Sequence, residues 1–248
     1  MSFSNTVYLS SHQIYQTGTD QLVPLGTRGV TVDGRVFRRA KAGAVALTTG
    51  KLMQESVIVS GHGNNLVIPA AVAVGASSIT LTNSTTAITL NMYKEGFIYI
   101  NDVDGEGQYY KIKSHPAEST GSGSCAFTIE GELVVALTTS SEAGLRRNPY
   151  DSIVINPTTA TGAPVGVTVV AVAASAYAWI QTWGPCAVLT NGTIIVGKTV
   201  TPGASTAGSV DVHPLNSSDS DGQQPTVGVV SRVTNSTDYS WINLKIAP

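Results

Sequence analysis

Hydrophobic and polar positions alternate with a period of two along much of this chain. No stretch keeps a helical period for more than two turns. Clean alternation at residues 78–82, 88–92, 97–100 and 108–113 predicts strands, and residues 127–129 and 133–137 add two more. Further on, 165–172, 177–183, 187–189, 193–196, 209–212, 226–233 and 241–246 read the same way. Residues 44–47 and 56–60 read as further strands or extended segments, 66–68 is expected to be extended, and 51–55 could form one helical turn. Asp33-Gly34 and Asn191-Gly192 predict type I′ hairpins, because these pairs accept positive φ at both central positions.

The expected architecture is all-β: antiparallel β-sandwich or barrel domains with an extended N-terminal arm. Residues 1–30 scatter Tyr8, Ile14, Tyr15, Leu22, Val23 and Leu25 among polar neighbours, so they cannot bury themselves. This arm either lies on its own domain or orders on a neighbour, so its removal should leave the β domains folded. A cluster of Arg and Pro within 140–157 marks a boundary. The expected domains are therefore 31–145 and 146–248, with 66–140 as a compact antiparallel unit. Loops are expected at 121–124 and 216–224. The run Val-Ala-Leu-Thr-Thr occurs at 45–49 and 135–139. In a chain so rich in these residues it is not read as a repeat.

Composition sharpens the picture. Only 12% of the 248 residues are charged, against about a quarter in an average soluble domain. Such a chain suits sheets that meet other protein surfaces. The net charge of −2 argues against nucleic acid as a partner. The densest basic cluster, Arg35, Arg38, Arg39 and Lys41, reads as a solvated or interface face. No apolar stretch is long enough to predict a membrane helix. Residues 1–6 lack a basic n-region and an apolar core, so no secretory signal is expected. Cys125 and Cys186 are expected as free buried thiols, with a single bridge as the alternative.

The chemistry-bearing residues form no recognisable motif. Asn101–Gly107 resembles part of a calcium loop, but the twelfth position counted from Asp102 is Lys113 where a bidentate Glu is needed. It reads as a hairpin tip. His12, His62, His115 and His213 share no metal-ligand spacing, and His62 in Gly61-His62-Gly63 reads as a loop histidine. No catalytic, cofactor or metal residue is assigned, and an enzyme is not expected. Converging carboxylates are the one enzymatic arrangement left open. Tyr177, Trp179 and Trp183 form an aromatic stripe: core, oligomer contact or sugar platform. Trp241 is expected to close the same core.

Three segments carry a resemblance. They are Val32-Asp-Gly-Arg-Val-Phe-Arg-Arg-Ala-Lys-Ala-Gly43 with Gly50-Lys-Leu-Met-Gln54; Gly96-Phe-Ile-Tyr-Ile-Asn-Asp-Val-Asp-Gly-Glu-Gly107 with Tyr110-Lys-Ile112; and Tyr177-Ala-Trp-Ile-Gln-Thr-Trp-Gly-Pro185, continuing through Asn191-Gly-Thr193 to Gly208. Together they are similar to tailed-phage capsid decoration, or cement, proteins. The resemblance implies a virion protein, made in the host cytoplasm, that sits on the capsid exterior as a homotrimer. Its implied partner is the major capsid protein, with no cofactor, nucleic acid or membrane. A head-fibre base, a tail protein or a carbohydrate-binding module is the alternative.

Overall fold

The computed structural model describes residues 6–83, 86–119, 123–213 and 224–248. Strands hold 42% of the chain and helix 1%, so the protein is all-β. The loop expected at 216–224 falls outside the described residues except for its last position, and so do residues 121 and 122 of the loop expected at 121–124, while Ser124 begins a strand.

The chain forms two compact units. One is Ile58–Asn148; the other joins the residues up to Val57 with Pro149–Pro248. These bounds differ from a division at residues 30 and 145, because residues 31–57 pair with strands more than a hundred positions downstream. The discontinuous unit begins with β1 (Thr6–Leu9), β2 (Arg28–Thr31), β3 (Val36–Lys41) and β4 (Leu52–Gln54). The inserted unit holds β5 (Leu66–Val67), β6 (Ser78–Thr82), β7 (Phe97–Asp102), β8 (Tyr109–Ser114), β9 (Ser124–Ile129) and β10 (Glu142–Arg146). The first unit then resumes with β11 (Val154–Ile155), β12 (Pro164–Thr168), β13 (Tyr177–Leu189), β14 (Thr199–Pro202), β15 (Val210–Val212), β16 (Gly228–Arg232) and β17 (Tyr239–Lys245).

Eleven strands form one sheet, with the path β1-β2-β3-β13-β17-β16-β14-β15 and with β4, β11 and β12 attached beside it. The inserted unit has six strands in the order β5-β10-β7-β8-β9-β6. The named strands pair antiparallel except for β1 with β2, and the architecture includes a nearly closed, barrel-like sheet. The cores are thin and aliphatic. Ile79, Leu81, Ile98, Ile112 and Phe127 centre the inserted unit, while Val167, Val188, Val200, Val230 and Ile242 help fill the other.

Both units are built on the same device. A strand bends into a second strand, and a second such arch pairs with it along its whole length. In the discontinuous unit the arches are β3–β4 and β12–β13; β3 pairs with β13 and β4 with β12. Leu47 and Val172 tie the two bends by exchanging backbone hydrogen bonds of 2.8 and 2.9 Å. In the inserted unit the arches are β5–β6 and β9–β10; β6 pairs with β9 and β5 with β10. There Val72 and Leu137 exchange two bonds of 2.9 Å. The pentapeptides at 45–49 and 135–139 therefore occupy equivalent bends, a structural repeat that the sequence reading set aside.

The third residue beyond the bridge is left-handed in four such bends: Gly50, Gly75, Asn91 and Ser175, at φ 69°, 86°, 55° and 61°. Three of the expected strands, at 44–47, 88–92 and 133–137, are these bends and carry one bridging residue each. Residues 56–60 and 193–196 are not strands either. Residues 51–55 hold β4 where a helical turn was considered, and all three β4 residues are buried. Asn191-Gly192 makes no hairpin, because the Asn191 amide is taken by the Val210 carbonyl and that of Gly192 by Ser236 Oγ. The Asp33-Gly34 hairpin forms, but only Gly34 has positive φ (81°), so the turn is not type I′.

Residues 6–30 are not a free arm. β1 adds a parallel strand beside β2. Gly18 exchanges backbone hydrogen bonds with Tyr177, and Gly26 donates to the Arg39 carbonyl. Leu9 and Ile14 pack with Phe37 and Trp179 in a cluster of their own. Ile14 is buried and Val23 packs against that cluster, while Tyr8, Tyr15 and Leu22 stay exposed.

Candidate functional site

Two features of the discontinuous unit stand out, and both arise from β13. Its first half pairs with β3, setting Trp179 opposite Arg39 and Gln181 opposite Phe37. The register then shifts at a bulge between Gln181 and Trp183; one more pair, Trp183 with Val36, follows, and from Trp183 onward the strand pairs with β17.

Below the bulge lies a cavity of about 410 Å³. Val7, Leu9, Val23 and Trp179 supply its apolar wall, and Gln13, Gln16, Thr17 and Asp20 its polar side. Arg39 also lines it and is only 4% exposed. The guanidinium lies 5.7 Å from the ring centroids of both Tyr177 and Trp179. Nη2 donates to the Asp20 carbonyl at 3.3 Å, and Nε has no partner. Arg35 pairs with Asp33 and Lys111 with Glu130, and among the described residues no carboxylate forms an ion pair with Arg39. Burial pulls its pKa below the ordinary guanidinium value, with the Tyr177 hydroxyl acting the other way. The basic cluster on β3 is therefore not one solvated face. Arg39 is buried, Arg38 donates to the carbonyls of Gly26 and Pro248, and Arg35 is held by Asp33.

Above the bulge the sheet is open. Trp183 is 36% exposed and Trp241 47%. Trp241 therefore does not close a core. The β13–β17 register sets Ala187 opposite Trp241, Pro185 opposite Asn243 and Trp183 opposite Lys245, so these residues share one sheet face. Exposed Tyr239 extends it at the end of β17. The stripe read from the sequence is thus divided: Trp179 is covered by residues 6–30, while Trp183 is bare.

The inserted unit brings two of the four histidines, His62 and His115, onto Tyr93. His62 lies in a turn, as its flanking glycines suggest, but it is fully buried. The Tyr93 hydroxyl donates to its Nδ1 at 2.7 Å, so Nε2–H donates to the Thr86 carbonyl at 2.8 Å. The Tyr93 amide donates to His115 Nε2 at 2.9 Å, leaving Nδ1–H for the Pro116 carbonyl at 2.7 Å. Burial, partly offset by Arg147, pushes the Tyr93 hydroxyl up to about 12.

Cys125 Sγ lies 4.0 Å from His115 Nδ1, a Cys–His pair at first sight. That nitrogen already carries the proton given to Pro116, so it cannot act as base for the thiol. Burial first, and the Glu118 charge second, push Cys125 up to about 11. Cys186 is pushed up to about 12 by burial, with Arg35 opposing. Both cysteines are free and buried, which answers the question of a bridge. The Asn101–Gly107 segment is the tip joining β7 to β8. The Asp104 carboxylate there accepts from Thr138 Oγ1 at 2.9 Å, and Ser141 Oγ donates to its carbonyl.

No family model, curated protein or solved structure matches this chain.

Sequence reasoning missed the Arg39 cavity because four cations within seven residues, 35–41, read as a solvated or interface face. The usable signal was Phe37-x-Arg39, a cation in phase with a large aromatic on one strand.

Proposed function

We propose that this chain is a virion structural protein that binds the outside of a phage capsid and cements neighbouring major capsid subunits. The observation that carries this reading is the open sheet face of Trp183, Trp241 and Tyr239. Exposed aromatics clustered on a rigid sheet are the usual anchors of protein interfaces. The low charge of the chain and the resemblance of its three segments support the same reading.

The action would be adhesion, with no bond made or broken. Apolar area buried at the face contributes about 25 cal/mol per Å², less the cost of association. Identical contacts repeated over a capsid, and a trimer engaging three at once, raise occupancy through multivalency.

The test is sedimentation of the purified protein with capsids of the phage that encodes it. The double variant Trp183→Ser, Trp241→Ser should lower occupancy at least about tenfold, since interface aromatics carry much of the binding energy. Unchanged occupancy overturns the reading, as does a monomer by mass photometry for the trimer. The same two rings favour a carbohydrate-binding module as a second reading. Binding on a glycan array that Trp183→Ala abolishes, in a protein that stays folded, would select it.

A further inference from the structure

We infer that the cavity beneath residues 6–30 is a binding site for a small monocarboxylate with an apolar body, held by Arg39. The site lies outside the face proposed for docking, so the inference does not rest on that reading.

Burying a charge is costly. A guanidinium that is 4% exposed should be paired or fully hydrogen-bonded, because an uncompensated buried charge is strongly disfavoured. Arg39 has neither. Of its donors, Nη2 makes one bond of 3.3 Å to a carbonyl, and Nε makes none. The rings of Tyr177 and Trp179 offset part of the charge through their π faces. They supply no acceptor in the guanidinium plane. Arginine presents its donors as a planar fork, and a carboxylate fits that fork with two parallel bonds.

The space matches. About 410 Å³ adjoins this side chain, within the range of small-molecule pockets. It is far more than one water needs, so a ligand could displace solvent from Arg39 and replace it with charge-assisted bonds.

The rest of the lining narrows the class. Val7, Leu9, Val23 and Trp179 would cover an apolar body. Among the described residues lining the cavity, Arg39 is the one cation and Asp20 the one acid. One positive charge beside one negative charge suits a singly charged anion and disfavours a phosphate dianion. The face of Trp179 is not free to stack a sugar ring. The indole is 7% exposed, carries Arg39 over its ring and packs with Leu9 and Ile14.

The experiment uses the full chain and three probes of matched length: sodium hexanoate, 1-hexanol and hexylammonium. Titrations follow the Nε–H resonance of Arg39 and the backbone amides of Leu9 and Val23. Hexanoate should saturate these shifts with Kd of roughly 1 mM or below, the range open to so small a ligand. Hexanol and hexylammonium should bind at least about tenfold more weakly, the loss expected when a charged hydrogen-bond partner is removed. Arg39→Met should abolish the preference for hexanoate over hexanol.

Because a core arginine variant can fail to fold, Leu22→Trp provides a second arm. Leu22 lines the cavity and is 81% exposed, so a larger ring there narrows the entrance without entering a core. It should weaken hexanoate while leaving the thermal midpoint unchanged. Equal affinity for hexanoate and hexanol overturns the inference. So does the absence of saturation, or saturation without movement of the Arg39 resonance.

Discussion

Leu47 and Val172 lock two bends of the chain together through a reciprocal pair of backbone hydrogen bonds, with both side chains buried. Leu137 and Val72 exchange the same pair of bonds in the other unit, with Leu137 buried and Val72 half-buried. Each leucine is thus the keystone of one unit. Leu47→Ala and Leu137→Ala should each cost about 2–5 kcal/mol, the range for emptying a buried leucine site. Hydrogen exchange should localise the two losses. Leu137→Ala should accelerate amides within 58–148, and Leu47→Ala those of the other unit. Uniform acceleration by either variant would contradict separate keystones.

The left-handed position after the bridge makes an opposed pair of predictions. Gly75 and Ser175 are equivalent, at φ 86° and 61°. A Cβ at Gly75 meets no atom within 4 Å, so backbone conformation alone decides the cost there. Gly75→Ala should destabilise by about 1 kcal/mol and Ser175→Gly should stabilise by a similar amount. Chemical denaturation measures both.

Acid should loosen the inserted unit through His115. Burial lowers its pKa from the ordinary 6.5, with the Pro116 carbonyl opposing. Between the two values the unfolded chain binds a proton that the folded chain refuses. The contribution of His115 is therefore complete above about pH 6.5 and falls as the pH drops toward the folded value. Protonated Nε2 could no longer accept from the Tyr93 amide. Urea midpoints taken above and below that window should fall more steeply in the native protein than in His115→Gln.

Both thiols should be silent in the folded protein. With Cys125 pushed up to about 11 and Cys186 to about 12, almost no thiolate exists at neutral pH, and neither sulfur is accessible. A thiol-reactive dye should label neither under native conditions and both in denaturant. Fast native labelling would refute the burial.

Removal of residues 1–25 should destabilise the discontinuous unit. It takes away Leu9 and Ile14, which cover Phe37 and Trp179, and it strips β2 of its outer neighbour. The melting transition of that unit should drop by several degrees or more. An unchanged transition would mean that this segment packs only loosely.

Strands whose alternation comes from two real faces were legible in the sequence. β6, β7, β8 and β17 alternate buried with more exposed residues, and their positions follow from period two alone. The bends at 44–47 and 88–92 imitate that pattern with a single buried residue each, and 133–137 with two, Leu133 and Leu137, so they read as strands. The unit boundaries were hidden for another reason. β4 finds β12 across the whole inserted unit, and no local pattern encodes so distant a pairing. At the candidate sites, Trp183 was visible as an aromatic but its exposure was not. That exposure depends on the bulge beside Gln181 and on how far residues 6–30 reach.

The nested layout also fixes an order of events during synthesis. β5 to β10 are contiguous, so the inserted unit can close as soon as β10 has left the ribosome. β3 and β4 emerge earlier, yet their partners β12 and β13 are made later. Phe37, Leu52 and Met53 must therefore wait with open edges while another unit finishes folding beside them. A newborn chain is most vulnerable to sticking to its neighbours during that interval.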